Sequence, residues 1–182
     1  MQLHTERLVL RDITSSDKQA LFDYRSDGQA NKFQSWIPET LEDVERFIEK
    51  STKEFNQPES WYQLLITHKD TKAVIGDIGI HFFGIENLQV ELGITLNKSF
   101  QGKGYASEAL AGIIDFLFYD LEKHRIMTSI DPDNTDSIKL MERIGLRKED
   151  HFVKSLFWKN NWVDDVIYAV LQEEWNTNKK TD

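Results

Sequence analysis

Gln101-Gly102-Lys103-Gly104-Tyr105-Ala106 lies between a run that alternates like a strand, Leu88 to Leu96, and a run with the apolar period of a helix, from about Gly104 to Tyr119. Ala106, Ala109, Leu110, Ile113 and Leu117 fall on one stripe of that helix, so it packs on a sheet and its start is fixed. A helix start exposes unpaired backbone N–H groups and the positive end of the helix dipole. Gly102, Gly104 and Ala106 are small enough for a phosphate to approach those groups, and Lys103 adds a positive charge at the rim. The segment suits a pyrophosphate; a plain strand-to-helix turn is the alternative. No Gly-Lys-Ser/Thr ends it, so it is not a P-loop, and the dinucleotide fingerprint is absent.

Working outward, Arg7-Leu8-Val9-Leu10-Arg11 alternates and predicts a first strand. Thr14 followed by Asp17 predicts a helix start, with Ala20, Leu21 and Tyr24 on its apolar side. Pro38 and Thr40 precede a second helix carrying Leu41, Val44, Ile48 and Phe55. Trp61 to His68, Ala73 to Phe83 and Leu88 to Leu96 predict three strands, with a turn over Gly84 to Asn87. After the long helix come a strand at Arg125 to Ile130 and a short helix from Asn134 to Ile144 that Gly145 ends. Two strands, Leu146 to Trp158 and Val163 to Leu171, close the chain around Lys159-Asn160-Asn161. This order predicts one mixed α/β domain over 1–175, with a largely antiparallel sheet of about seven strands and helices on its faces. A flexible tail is expected over 176–182.

The 182 residues suit one domain, and no linker or repeat divides them. With 22 Lys and Arg against 31 Asp and Glu, the net charge of −9 disfavours nucleic acid and anionic membranes and favours cationic partners, or serves solubility alone. The absence of cysteine excludes disulfides, thiolate metal sites and a Cys nucleophile, and no metal site is expected. Met1 to Arg11 is charged and lacks the apolar core of a signal peptide, and no apolar run is long enough to span a membrane. The cytoplasm is the expected location, and a monomer or homodimer the expected assembly.

Taken in order, these segments resemble the GNAT superfamily of N-acetyltransferases, and within it the branch that includes the ribosomal-protein N-terminal acetyltransferases. Thr5 to Arg11 is similar to the branch's opening strand, Val90-Glu91-Leu92-Gly93-Ile94 to its central strand, and Gln101 to Ala106, followed by Ser107-Glu108-Ala109, to its acetyl-CoA pyrophosphate loop. Asn134-Thr135-Asp136-Ser137 with Leu140 to Leu146 resembles the second cofactor motif, and Trp162 to Ala169 the closing strand. Leu146 and Asn161 depart from the common Phe and Gly. The resemblance implies a twisted sheet whose central parallel pair, near Val90 to Leu96 and Arg125 to Ile130, splays apart. Acetyl-CoA would enter that opening, with its pyrophosphate on Gln101 to Ser107 and its thioester along Leu92, Gly93 and Ile94.

Acyl transfer to an amine needs removal of a proton from the amine, stabilisation of an oxyanion and a proton for the departing thiolate. Glu91 shares a strand face with Gly93 and Thr95, so its carboxylate is expected to point into the cleft as the base; a surface carboxylate is the alternative. His81 and Asp77 share a face with Gly79 on the preceding strand, where either could position the amine, although a structural role suits His81, a lone histidine near an aromatic pair, better. Asn134 is an apt helix cap, and the resemblance adds a contact to the pantetheine arm. Ser137, one turn inside that helix, could serve the leaving sulfur, with Tyr168 a weaker alternative. Phe33 and Trp36, in an irregular segment before the second helix, are expected at the acceptor pocket by resemblance. Trp61, Phe82 and Phe83 read as core aromatics. The acceptor is expected to be a primary amine, either a protein N-terminus or a small molecule such as an aminoglycoside, polyamine or amino acid; a CoA-binding module without turnover is the remaining alternative.

Overall fold

The computed structural model describes residues 1–51 and 54–179. One sheet has the strand order β1-β2-β3-β4-β5-β6-β8-β7. Its strands are β1 (Gln2–His4), β2 (Leu8–Asp12), β3 (Ser60–His68), β4 (Val74–Phe83), β5 (Gln89–Leu96), β6 (Arg125–Ile130), β7 (Arg147–Trp158) and β8 (Asn161–Leu171). The helices are α1 (Lys18–Arg25), α2 (Leu41–Lys50), α3 (Tyr105–Tyr119), α4 (Thr135–Ile144) and α5 (Gln172–Lys179). All neighbouring strands are antiparallel except β5 and β6. The mixed, mostly antiparallel architecture with one central parallel pair matches the sequence reading.

Two elements were not expected. Strand β1 is three polar-flanked residues with too little pattern to read; it pairs with β2, and the Met1 amino group meets the Asp12 carboxylate. Helix α5 continues from the last strand as far as Lys179, so residues 176–179 of the expected tail are helical. Residues 180–182 of that tail lie outside the described residues. The Thr14 start also differs in detail: a single 3-10 turn at Ser15–Asp17 precedes α1, and the Asp17 carboxylate accepts from the Thr14 N–H at 2.9 Å.

The middle of the sheet is buried on both sides, which explains β3. Leu64 and Ile66 point into a large core with Ala109, Leu110, Ile113, Leu117 and Phe118 of α3, Met141 of α4 and Trp175 of α5. Leu65, between them, points into a second core with Leu21 and Tyr24 of α1 and Val44 and Ile48 of α2. Each such aliphatic side chain contributes about 1.5–3 kcal/mol by leaving water. Helix α3 is therefore anchored along its whole stripe, which holds its first turn at the end of β5. Among the described residues, no helix is long and apolar enough to cross a membrane.

The break in the sheet is local. β4 and β5 stay in register from Phe83↔Gln89 to Gly76↔Leu96, and β6 and β8 from Arg125↔Leu171 to Ile130↔Val166. β5 and β6, in contrast, pair only at Gln89↔Arg125, Val90↔Ile126 and Glu91↔Met127. Beyond Glu91 and Met127 the two strands part, and a gap opens in the middle of the sheet. Parallel strands expose such a gap at their carboxyl ends, where ligands bind in open α/β sheets.

Candidate active site

Strand alternation decides which groups face the gap. Leu88 and Leu96 turn their carbonyls away from β4: Leu88 accepts from the His124 N–H at 2.9 Å, and Leu96 from the Gln101 side chain at 3.1 Å. With a period of two, Val90, Leu92 and Ile94 point their backbone groups to that same edge. Leu92 and Ile94 lie past the last β5–β6 pair, so their N–H groups face the gap. The Ile94 carbonyl is met there by Gln34 at 3.4 Å.

On one side of the gap is a cavity of about 650 Å³. It is lined by Ile94, Thr95 and Leu96 of β5, by Gln101, Gly102, Gly104, Tyr105, Ala106 and Ser107, and by Asn134 and Ser137 at the start of α4. Gly102 and Gly104 have φ of 72° and 80°, left-handed values that a side chain disfavours. A Cβ on Gly102 would meet nothing within 4 Å, so the space above it is open. Gly104 is the N-cap of α3, and its carbonyl accepts the Glu108 N–H at 3.1 Å to close the first turn. The N–H groups ahead of Glu108 remain at the cavity wall. These features fit a phosphate-bearing group.

The loop is braced from the far edge of the sheet. Glu108 accepts from the Thr5 hydroxyl, the Arg7 backbone N–H and Arg7 Nε, each at 2.6 Å. Arg7 Nη1 then donates to the Lys103 carbonyl at 3.1 Å, and the guanidinium covers the Tyr105 ring at 4.5 Å. Burial alone raises the Glu108 pKa, but the Thr5 and Arg7 hydrogen bonds outweigh it and hold the carboxyl below its ordinary value. Lys103, expected at the rim, donates from its ammonium to the Ser99 carbonyl at 2.9 Å and does not line the cavity. The cations that do are Lys32, Lys139 and Arg143, which the sequence reading missed. Lys139 and Arg143 are one helical turn apart on α4, and that spacing alone gives no sign of which way they face.

The second cavity, about 460 Å³, continues past Phe33, Gln34, Ile94, Thr95, Asn134 and Ser137, which line both. Its walls include Trp36, Phe47, Trp61, Leu156 and Trp158, and its carboxylates are Glu91, Asp131, Asp164 and Asp165. Trp36 stacks on Phe47 with ring centres 4.2 Å apart. Trp61, expected in the core, is half exposed at 50% and lines this chamber. Gly79 allows that: a Cβ there would come within 3.3 Å of both Trp61 and Gln63, so its absence lets them lie across the sheet. Phe82 is fully buried as expected.

Glu91, Leu92, Gly93 and Ile94 all line the chamber, and a Cβ on Gly93 would meet nothing within 4 Å. The Glu91 side chain is 27% exposed, so water reaches its carboxylate. His81, its register partner on β4, lies with Nδ1 3.5 Å from Glu91 Oε2 and does not line the chamber itself. Asp77 is not free to position an amine. It is fully buried and bound by Arg25, the Tyr24 hydroxyl at 2.5 Å and the Gln63 amide. Burial first, then the Asp77 charge, pushes the Tyr24 hydroxyl well above the ordinary phenol range. Asn134 caps α4 by accepting from the Ser137 N–H at 3.3 Å. Tyr168 is buried and donates to Glu142 at 3.1 Å, away from both cavities.

A family model described as an acetyltransferase (GNAT) domain matches residues 7–147. The chain is similar to the uncharacterized N-acetyltransferase YnaD of Bacillus subtilis, 35% identical over 97% of this chain and 100% of that protein. It is also similar to the ribosomal protein uS5-alanine N-acetyltransferase of Escherichia coli, 26% identical over 96% of this chain and 93% of that one. Among solved structures, a GNAT-family acetyltransferase from Bacillus anthracis superposes with a TM-score of 0.86, at 30% identity, over 95% of this chain and 99% of that one.

Proposed function

The chain belongs to the acetyltransferase (GNAT) family, and from that premise we propose that it transfers acetyl from acetyl-CoA to a primary amine by direct attack, with Glu91 as general base. The observation that carries this reading is the continuity of the two cavities at the sheet gap. A groove of small residues, backbone donors and cations meets an aromatic, acidic chamber at Ile94, Asn134 and Ser137.

The residues fit the cosubstrate. Gln101 to Ser107 would hold its phosphates through backbone N–H groups, helped by Lys139 and Arg143, and Asn134 would lie along its arm. When bound, acetyl-CoA supplies an activated acyl carbonyl and a thiol leaving group. The chain's own groups do the rest. The acidic chamber draws in an ammonium and the aromatic walls cover it, as cations favour aromatic faces. Glu91 takes its proton, directly or through one water. The N–H groups of Leu92 and Ile94 face the gap, where they can meet negative charge developing on oxygen. Ser137 offers a hydroxyl to the departing sulfur.

The favoured acceptor is an α-amine. Its reference pKa is about 7.7–8.0, against about 10.4 for a lysine side chain, so one carboxylate base suffices near pH 7. The similarity to a ribosomal protein uS5-alanine N-acetyltransferase supports the same choice. A small di- or polyamine is the second reading, because Asp131, Asp164 and Asp165 line the same chamber as Glu91 and add negative charge that suits a second cation. The test is thiol release from acetyl-CoA across peptides with different N-terminal residues, polyamines, aminoglycosides and amino acids, with the acetylated nitrogen located by mass spectrometry. The reading expects fastest turnover on α-amines. Acetyl groups mainly on lysine ε-nitrogens would overturn the acceptor assignment, and no thiol release from any amine would overturn the activity.

A further inference from the structure

We propose that His81 is a positioning residue for Glu91 and the next station for the proton that Glu91 removes. The inference rests on the reading of Glu91 as base. His81 and Glu91 face each other in register across β4 and β5, on the same side of the sheet, with Nδ1 3.5 Å from Oε2. Nδ1 is buried and has no hydrogen-bond partner. A buried polar atom left unmatched is costly, so its orientation calls for a reason. The ring cannot easily turn away: it is stacked on Trp61 at 4.7 Å and 5°, and on Phe83 at 5.2 Å and 21°. Sandwiched this way, Nδ1 stays aimed at the carboxylate, and a small side-chain shift closes the gap to a hydrogen bond. Catalytic hydrogen bonds are commonly long before substrate binds.

The outer part of the ring differs. The side chain is 25% exposed although Nδ1 is buried, so the exposure belongs to its other atoms. Imidazole can accept a proton on one nitrogen and release one from the other. The sequence is then balanced. The ammonium gives one proton to the Glu91 carboxylate; the freed nitrogen then forms the amide bond as the C–S bond breaks, and its second proton passes to the departing thiolate, which Ser137 faces. Glu91 passes the proton to His81 Nδ1, and the imidazolium loses its Nε2 proton to water. Glu91 is ionised and His81 neutral again, as the Nδ1–H tautomer that returns to the Nε2–H form by proton exchange with water before the next turnover, with amide, thiol and one proton in solution as products. Glu91 is the charged group that meets the ring; the residues covering its faces, Trp61 and Phe83, do not titrate.

The experiment compares wild type, His81→Phe and Glu91→Gln with one good acceptor near pH 7, at rising imidazole concentration and fixed ionic strength. Phe keeps the stack and cannot carry a proton. We expect His81→Phe to keep its KM for the amine and its stabilisation by CoA, to lose about 10-fold in kcat, and to recover rate with added imidazole. Glu91→Gln should be impaired without recovery. If His81→Phe fails to fold, His81→Gln carries the same imidazole readout. A His81 variant with wild-type kcat, or with a loss that imidazole does not relieve, overturns the relay while leaving Glu91 in place. A Glu91→Gln enzyme with normal rates overturns the base assignment itself.

Discussion

Replacing Asp77 should unfold the protein more readily than almost any surface change, because Asp77 holds a buried cation. Its carboxylate is fully buried, and Arg25 beside it is 7% exposed. The guanidinium donates to Asp77 through both Nε, at 3.0 Å, and Nη2. Asp77→Ala leaves that charge unpaired in the second core and strips the Tyr24 hydroxyl of its acceptor. Breaking a buried pair from one side costs about 3–5 kcal/mol. For a chain of this size each kcal/mol lowers the melting temperature by about 2–4 °C, so a drop of about 6–20 °C follows. Urea unfolding at pH 7, followed by circular dichroism, should show a lower midpoint with an unchanged slope. The double variant Asp77→Leu/Arg25→Met should be more stable than Asp77→Ala, since it leaves no lone charge. Asp77→Ala within about 1 kcal/mol of wild type, or a double variant less stable than the single one, would refute the reasoning.

Three further outcomes follow from the site. Gly104→Glu should abolish thermal stabilisation by CoA, through a side chain at φ 80° that meets Arg7 and a negative charge facing phosphate; the wild type should gain about 2.7 kcal/mol at 100 times the dissociation constant. Glu108 has a lowered pKa in the folded chain, so its contribution is present above the unfolded value and is lost as pH falls through the folded one. Glu108→Gln should therefore cost about 1–2 kcal/mol at pH 7, and in repeated urea titrations that difference should begin to shrink only below the unfolded value of about 4.3 and keep falling at lower pH. Ser137→Ala should lower kcat about tenfold or less with unchanged CoA affinity, because a thiolate of pKa about 8.5 already leaves readily; a kinetic comparison with wild type checks it.

What could be read in the sequence was what depends on local period. The alternation of β5 placed Glu91 and Gly93 on one face, and the stripe of α3 fixed the turn at Gly104 as a helix start. What could not be read depends on partners far apart in the chain. Asp77 looked available until Arg25 of α1 was seen beneath it. Trp61 looked like core because its exposure is set by the missing side chain of Gly79 on the next strand. Leu156, Trp158, Asp164 and Asp165 reach the chamber from the β7–β8 hairpin, and β7 is exposed along nearly its whole length. Its sequence therefore carries no burial pattern to mark the residues that matter. Strand β1 is short and polar-flanked and is held by pairing with β2, which no local rule anticipates.

The most direct test of Glu91 is a pH–rate profile of purified Glu91→Gln beside wild type, with saturating acetyl-CoA and one good amine. Gln keeps the size and some hydrogen bonding of the side chain and removes only its capacity as a base. A positioned base contributes about 10²–10⁴-fold, so the variant should be slower by about 10²-fold near pH 7. The deficit should shrink as pH rises and more amine arrives already neutral. Near-normal rates for folded Glu91→Gln at pH 7 would contradict the account, placing the base elsewhere or the loss of the proton before the amine binds.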